Sequence, residues 1–366
     1  MARSPHSLFA GRALVPPRVA EVLAGHPIHA VDVGAARGIP PHWQPFIDGL
    51  RVEAFEPREA ECRRLAASSH PNIRWHPVAL AGTEGRRDLH VLATPTGSSL
   101  FPPDERFAAL YSEPSYFRVA ERIGVDCTTL GRYFGDRGLP SPALIKLDTQ
   151  GTELEILQGL SAGQMDGVLA IEVEAEFHSV YAGQPLFGDI DRYLTDQGFE
   201  LFDMRTQRVH LTGGSDNNHY LKSCLGTAIG TPELSAKLHA ADALYLRPFT
   251  DGLDSMTLEH FSRYATILQM YRCYDVIFWL LDQPPVAALL GAQGRFELGA
   301  AYADVAPRPR FSQRTGRLPH MLRRSRRAAS LISERYLGRE GFDPRERSGA
   351  TATGPTSNAR RQADWV

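Results

Sequence analysis

An apolar run, Ile28–Val33, breaks into the turn Asp32-Val33-Gly34-Ala35-Ala36-Arg37-Gly38, and this step from strand to glycine-rich turn constrains the fold more than any other feature. Glycine lets the backbone turn sharply and approach a ligand where a Cβ would clash. Downstream, short β-rich runs alternate with helical patterns, as in βαβ units built around a parallel sheet. The pattern predicts strands at Ile28–Val33, Leu50–Phe55, 73–80 (interrupted by Pro77), 143–147, 167–173, 199–204 and 243–246. A run at 89–93 continues or flanks the sheet. Helices are expected at 58–68, about 151–160, and 189–197, where Gly198 stops the last. Residues 213–218 read as a turn or loop. Together these elements describe one doubly wound α/β domain with an antiparallel edge.

With 366 residues the chain is long enough for a large core plus an appendage. The expected organisation is a lead-in helix over 1–27, the α/β domain over 28–247, a helical appendage over 250–305 and an arginine-rich, largely disordered tail over 306–366. The run 258–281 carries Phe261, Tyr264, Tyr271 and Phe278 at helical spacing. A net charge of −2 conceals an asymmetry. Residues 307–366 hold 14 arginines against five acidic residues, a surplus of nine that leaves the first 306 residues at about −11. An acidic main domain argues against nucleic acid as a partner, while the tail suits an acidic partner or an anionic membrane surface.

Cys62, Cys127, Cys224 and Cys273 show no CxxC spacing, so a reducing compartment is expected rather than a disulfide framework. The most apolar stretch, 275–290, is interrupted by Asp282, Gln283, Pro284 and Pro285 and is too short for a transmembrane segment. The N-terminus carries no secretory signal pattern, and a cytoplasmic location is expected.

Gly34 and Gly38 enclose three residues with no glycine among them, so the dinucleotide fingerprint GxGxxG is absent. That favours a ligand without a pyrophosphate. Glu56, in Glu53-Ala54-Phe55-Glu56-Pro57, ends the next strand, where Rossmann-like folds place the carboxylate that accepts hydrogen bonds from ribose hydroxyls. Asp148 ends a buried strand beside the crevice in which open α/β sheets bind ligands. There it can orient a hydroxyl, assist its deprotonation or ligate a metal. Glu153 follows in the first helical turn, where capping explains it at least as well as catalysis. Glu172, Glu174 and Glu176 share one face if their strand continues. A divalent metal at Asp148, Glu172 and Glu174 is the minor alternative to a metal-free site. His178 is the candidate general base, while His42, beside Trp43, reads as a surface or substrate-contact histidine. The loop 94–103, with Ser98 and Ser99, is placed over the substrate.

Three motifs in this order resemble the FkbM-type methyltransferases: Asp32-Val33-Gly34-Ala35-Ala36-Arg37-Gly38, Ala54-Phe55-Glu56-Pro57, and Ile145-Lys146-Leu147-Asp148-Thr149-Gln150-Gly151-Thr152-Glu153-Leu154-Glu155-Ile156-Leu157-Gln158-Gly159. The third is the most specific. Ala36-Arg37 stands where the family often has Asn between alanine and glycine. The resemblance spans about 28–246 and implies a Rossmann-like class I methyltransferase fold: a mostly parallel seven-stranded sheet with helices on both faces. It also implies S-adenosylmethionine as cofactor and, usually, O-methylation of a hydroxyl on a sugar, glycan or small natural product. Asp32, Gly34, Ala35, Gly38, Glu56, Pro57 and Ala79 are then expected to bind the cofactor, and Asp148, His178 and Glu172 to serve catalysis. The alternatives are a Rossmann-type nucleotide-dependent oxidoreductase, disfavoured by the missing GxGxxG, and a non-catalytic binding protein that keeps the fold.

Overall fold

The computed structural model describes residues 14–110, 114–209 and 237–307, which lie in one unit bounded by Met1–Pro309. The arginine-rich tail and the turn expected at 213–218 lie outside the described residues.

Helix α1 (Pro17–Gly25) leads into β1 (Ile28–Val33), β2 (Leu50–Phe55), α2 (Glu59–Ala66), β3 (Ile73–His76) and β4 (Ala79–Leu80). Next come β5 (Gly85–Leu92), α3 (Glu105–Leu110), β6 (Val119–Thr128), α4 (Leu130–Asp136) and β7 (Leu144–Leu147). Then follow α5 (Glu153–Gln158), α6 (Ala162–Asp166), β8 (Ala170–Glu176), α7 (Phe187–Asp196), β9 (Glu200–Val209) and β10 (Lys237–Leu246). Helices α8 (Leu258–Met270), α9 (Tyr274–Asp282) and α10 (Pro284–Val305) complete the described chain.

Seven strands form one sheet in the order β3-β2-β1-β7-β8-β10-β9. The pairs β1–β2, β2–β3, β1–β7 and β7–β8 are parallel, and β10 runs antiparallel to both of its neighbours. The order reverses direction between β1 and β7, the place where open α/β sheets bind ligands beyond their carboxyl ends. A second sheet, β4-β6-β5, stands beside the first. This is the Rossmann-like class I methyltransferase fold.

The central strands are buried on both faces, which is why they read as apolar runs in sequence. Val31, Val33, Ile145, Leu147, Ile171 and Val173 enter one core with residues of α4, α5, α6 and α7. Ile28, Ala30, Leu144 and Ala170 enter the other with α1, α8, α9 and α10. Thr257 starts α8 by accepting from the His260 amide at 3.1 Å. Phe261, Tyr264, Ala265 and Leu268 then fall on one helical face and are buried in that core. Burying one such large apolar side chain contributes about 1.5–3 kcal/mol, so the helices after β10 form much of this half of the core.

One strand expectation needs correction, and another resolves between its two alternatives. The stretch 73–80 is two strands in two sheets: β3 pairs with β2, and β4 pairs with β6. Pro77 has no amide hydrogen to continue the first ladder, so the chain leaves the sheet there. The run at 89–93 is the end of β5 and pairs with β6, not with the main sheet.

Candidate functional site

The amides of Gly34 and Ala35 donate to the Phe55 carbonyl at 3.2 and 3.1 Å, which joins the glycine turn to the end of β2. On the other side the Asp148 amide donates to the Val33 carbonyl at 3.0 Å. Gly34 has φ +83°, and a Cβ built on it would overlap the Asp148 carbonyl oxygen and stand 2.7 Å from the carbonyl carbon. Only a residue without a side chain lets β1 and β7 close to this separation. The cleft that opens here is lined by Gly34, Ala36, Glu56, Pro57, Ala79 and Asp148, with Thr96, Ser98 and Leu100 on its far wall. Ala35 is buried behind the turn, and Gly38, at φ +86°, closes it by donating to the Ala35 carbonyl at 2.9 Å. Arg37 donates to Thr96 Oγ1 at 3.1 Å and so links the turn to the 94–103 loop.

Glu56 is 2% exposed. Its carboxylate accepts from the Arg58 amide at 2.9 Å and from the Arg58 guanidinium at 2.8 and 3.2 Å. These charge-assisted bonds hold the carboxylate at the cleft wall.

Beneath the turn, register places Asp32 beside Lys146 and Lys146 beside Glu172 on one face of the sheet. Lys146 Nζ stands 3.3 Å from Asp148 and 3.8 Å from Asp32. Burial works to lower the Lys146 ammonium, but Asp32, Asp148 and Glu172 outweigh it and raise the group above its ordinary value. Asp32 is 1% exposed and neither of its oxygens meets a hydrogen-bond donor. Burial pushes its pKa up from 3.8 to about 7 against the pull of Lys146. A carboxyl raised on folding contributes stability that is full below its unfolded pKa and is lost as the pH rises through the folded value. Melting temperatures of wild type and Asp32→Asn, followed from pH 5 to 8, should therefore shift in favour of the variant as the pH rises to 7 and level off above it. A constant difference across that range would contradict the assignment.

Asp148 is about one-third exposed. Burial opposes its charge, yet Lys146 and hydrogen bonds from Glu174, Gln150 and Lys146 hold it below its ordinary value. Gln150 has φ +61°, a left-handed conformation that costs a non-glycine residue about 1–3 kcal/mol. It is fastened at four points. Its amide donates to Asp148 Oδ1 at 3.1 Å and to Glu174, its side-chain oxygen accepts from the Tyr181 hydroxyl at 2.7 Å, and its carbonyl accepts from Ser99 Oγ at 2.6 Å. Burial first, and the neighbouring Asp148 next, raise Glu174 well above the carboxylate range. Burial, with Glu153 next, pushes Glu176 up to about 8. Glu153 accepts from the Thr149 and Gly151 amides at 2.7 and 2.9 Å and ties the loop after β7 to α5. Among the described residues no group of three or more His, Cys, Asp or Glu side chains is arranged to hold a metal ion.

The structure brings Asp148 and Glu172 together through Lys146 but sets His178 apart. His178 lies 3.3 Å from His239 and packs on Phe107, outside the cleft lining. Burial lowers both imidazoles, His239 to about 4. Glu172, Glu174 and Glu176 do share a face, because β8 continues to Glu176. Three residues at the site escaped sequence reasoning: Gln150, Tyr181 and Tyr271. His42, read as a surface or substrate-contact histidine, has its Nε2 3.2 Å from Glu172 and only 28% of its side chain exposed. Its neighbour Trp43 is fully buried, and the His42-Trp43 pair just after a glycine turn was the available signal.

A mostly parallel sheet ordered around β1 and β7, with a glycine turn, a strand-end glutamate and a strand-end aspartate converging on one cleft, defines a methyltransferase domain of class I architecture. Residues 32–201 match the family model described as the Methyltransferase FkbM domain. No curated protein sequence matches the chain. Among solved structures, Methyltransferase FkbM from Methylobacillus flagellatus KT shares 14% identity at a TM-score of 0.32, over 60% of this chain and 44% of that one. The chain thus spans less than half the length of that protein. Precorrin-6y C5,15-methyltransferase from Geobacter metallireducens GS-15 shares 11% identity at a TM-score of 0.26, over 63% of this chain and 87% of that one. Strand order, rather than these distant likenesses, defines the fold. Among the described residues no helix is long and apolar enough to cross a membrane.

Proposed function

We propose that the chain transfers a methyl group from S-adenosylmethionine to a hydroxyl oxygen of a sugar, glycan or small natural product. The observation that carries this reading is the cleft at the switch point, lined by Gly34, Glu56 and Asp148, with the buried Asp32 beneath the turn. These residues fit the cofactor. Gly34 lines the cleft without a side chain, and the Glu56 carboxylate on the same cleft is available for ribose hydroxyls to donate to. Pro57, Ala79 and Leu80 give the same cleft an apolar wall for a flat ring.

S-adenosylmethionine, when bound, supplies an electrophilic methyl on a sulfonium. The protein's own contribution is to orient and exclude water, because in-line placement of donor and acceptor accounts for most of what such a transfer needs. Asp148, held ionised, accepts the acceptor's hydroxyl proton or hydrogen bond, and Gln150 and Glu174 fix the orientation of its carboxylate. Carboxylates and a primary amide at the cleft end are groups that hydrogen-bond hydroxyls, which supports an oxygen acceptor.

Calorimetry with S-adenosylmethionine and with NAD tests the cofactor, and labelled S-adenosylmethionine offered with hydroxyl, amine and thiol acceptors tests the reaction. Binding of NAD alone would overturn the reading in favour of a nucleotide oxidoreductase. Tight S-adenosylmethionine binding with transfer only to amines or thiols would overturn the oxygen assignment. Glu56→Ala is expected to weaken S-adenosylmethionine binding roughly tenfold or more, the scale of a lost charge-assisted hydrogen bond. An unchanged affinity would remove Glu56 from the ribose contact.

A further inference from the structure

The cleft is lined by two carboxylates, Glu56 and Asp148, yet S-adenosylmethionine carries a carboxylate of its own on its amino-acid arm. An ionised carboxylate leaves water at a high cost unless a cation or several hydrogen-bond donors receive it. Most donors around the cleft are already committed within the protein.

Three amides of the glycine turn are taken: Gly34 and Ala35 donate to the Phe55 carbonyl, and Gly38 donates to the Ala35 carbonyl. Among the hydroxyls of the lining, Ser98 donates to the Pro95 carbonyl at 2.7 Å, Thr149 to Glu153 at 2.9 Å and Thr152 to Thr149 at 2.7 Å. The cations are engaged in the same way. Arg58 lies on Glu56, Arg87 on Glu155, and Lys146 between Asp32 and Asp148.

Arg37 is the exception. Its side chain is exposed, meets no carboxylate among the described residues, and donates to a neutral acceptor, Thr96 Oγ1, at 3.1 Å. Ala36 before it and Thr96 on the far wall both line the cleft, so the guanidinium crosses from the turn to that wall. Gly34 and Gly38, both at positive φ, bracket the turn that carries it there.

A sulfonium has three substituents. With the ribose at Glu56 and the methyl presented to Asp148, the third is the amino-acid arm. A guanidinium offers a carboxylate two parallel, charge-assisted donors, and that pairing is stronger than its bond to a neutral threonine hydroxyl. Exchange of Thr96 for the ligand carboxylate is therefore favourable.

We infer that Arg37 is the carboxylate-binding residue of the cleft: it leaves Thr96 and pairs with the amino-acid carboxylate of S-adenosylmethionine. The inference rests on the reading of the chain as an S-adenosylmethionine-dependent methyltransferase and adds to it the group that selects the amino-acid arm.

Calorimetry on the full chain with S-adenosylmethionine and with its decarboxylated form tests the assignment. The second ligand keeps the sulfonium, ribose, base and ammonium and lacks only the carboxylate. Arg37→Gln removes a charge from an exposed position and should melt within a few degrees of wild type. It is expected to weaken S-adenosylmethionine binding about tenfold, the scale of a lost charge-assisted hydrogen bond, and to leave the decarboxylated ligand within about threefold of wild type. Arg37→Glu sets a like charge against the carboxylate and should cost S-adenosylmethionine more than Arg37→Gln does; it also serves if Arg37→Gln fails to fold. Unchanged S-adenosylmethionine affinity in either variant would overturn the inference. Equal losses for the two ligands would overturn it too, because Arg37 would then only tie the turn to the 94–103 loop. Unchanged affinity with a raised KM for acidic acceptors would assign the cation to the acceptor instead. A wild-type chain that binds neither ligand would overturn the functional reading together with the inference, whereas wild-type binding with no effect of Arg37→Gln would overturn the inference alone.

Discussion

Gly34→Ala should all but abolish S-adenosylmethionine binding, with a loss of affinity on the order of 100-fold or more, while Gly38→Ala should cost far less. Both glycines have positive φ, +83° and +86°, so both substitutions meet the same backbone penalty of about 1–3 kcal/mol. They differ in what a methyl group would touch. At Gly38 nothing lies within 4 Å, whereas at Gly34 the new Cβ would overlap the Asp148 carbonyl. That carbonyl is backbone and cannot rotate away. The strands β1 and β7 would have to separate at the switch point, adding about 1–3 kcal/mol of overpacking strain and opening the cleft from its floor. Urea titration measures the stability part and calorimetry the binding part. Equal losses for the two variants would show that glycine conformation, and not the approach of Asp148, controls the turn.

Asp148→Asn should leave S-adenosylmethionine affinity within about threefold of wild type and reduce kcat by about 10²–10⁴-fold, the range supplied by a positioned acid or base. The side chain keeps its size and its bond with Gln150, so the cleft keeps its shape. The negative charge and the acceptor for Lys146 are lost. Glu174 is raised by burial first and by Asp148 next, so removing the Asp148 charge lets Glu174 ionise at a lower pH. The residual rate of Asp148→Asn should consequently climb with pH as Glu174 takes the charge. Adding Glu174→Gln should flatten that climb. A fully active Asp148→Asn would end the assignment of Asp148 to the chemistry, and a flat residual rate would separate Glu174 from it.

The central strands could be read in advance for one reason. Strands β1, β2, β7 and β8 are buried on both faces, and Val31, Ile145 and Ile171 announce them as apolar runs. Strand β6 went unread because most of it is exposed: Glu121, Arg122, Gly124 and Asp126 interrupt any apolar pattern, and only Val125 and Cys127 are buried. The first half of β10, Lys237-Leu238-His239-Ala240-Ala241-Asp242, has little strand propensity of its own. Pairing with β8 and β9 makes it a strand.

The site divides in the same way. Gly34, Glu56 and Asp148 each end a strand within a short motif, so local sequence reveals them. Tyr271 meets Glu172 across 99 residues and Trp43 across 228, and no local pattern encodes such a meeting. Tyr271 was legible only as one aromatic in a helical stripe. The left-handed Gln150 is likewise invisible, since its conformation is imposed by Tyr181 and Ser99 from distant segments.

The position of β10 has a consequence for how the chain acquires its structure during synthesis. Because β10 is the wedge between β8 and β9, neither of those strands can complete its ladder until residue 246 has been made. A nascent chain that ends anywhere after β9 and before β10 carries two open sheet edges, and such edges readily pair with other chains. Glu172 and Glu174, on β8, border one of those edges. Closure of the sheet is therefore a late event, and the interval before it is when a folding chain of this design is most exposed to aggregation.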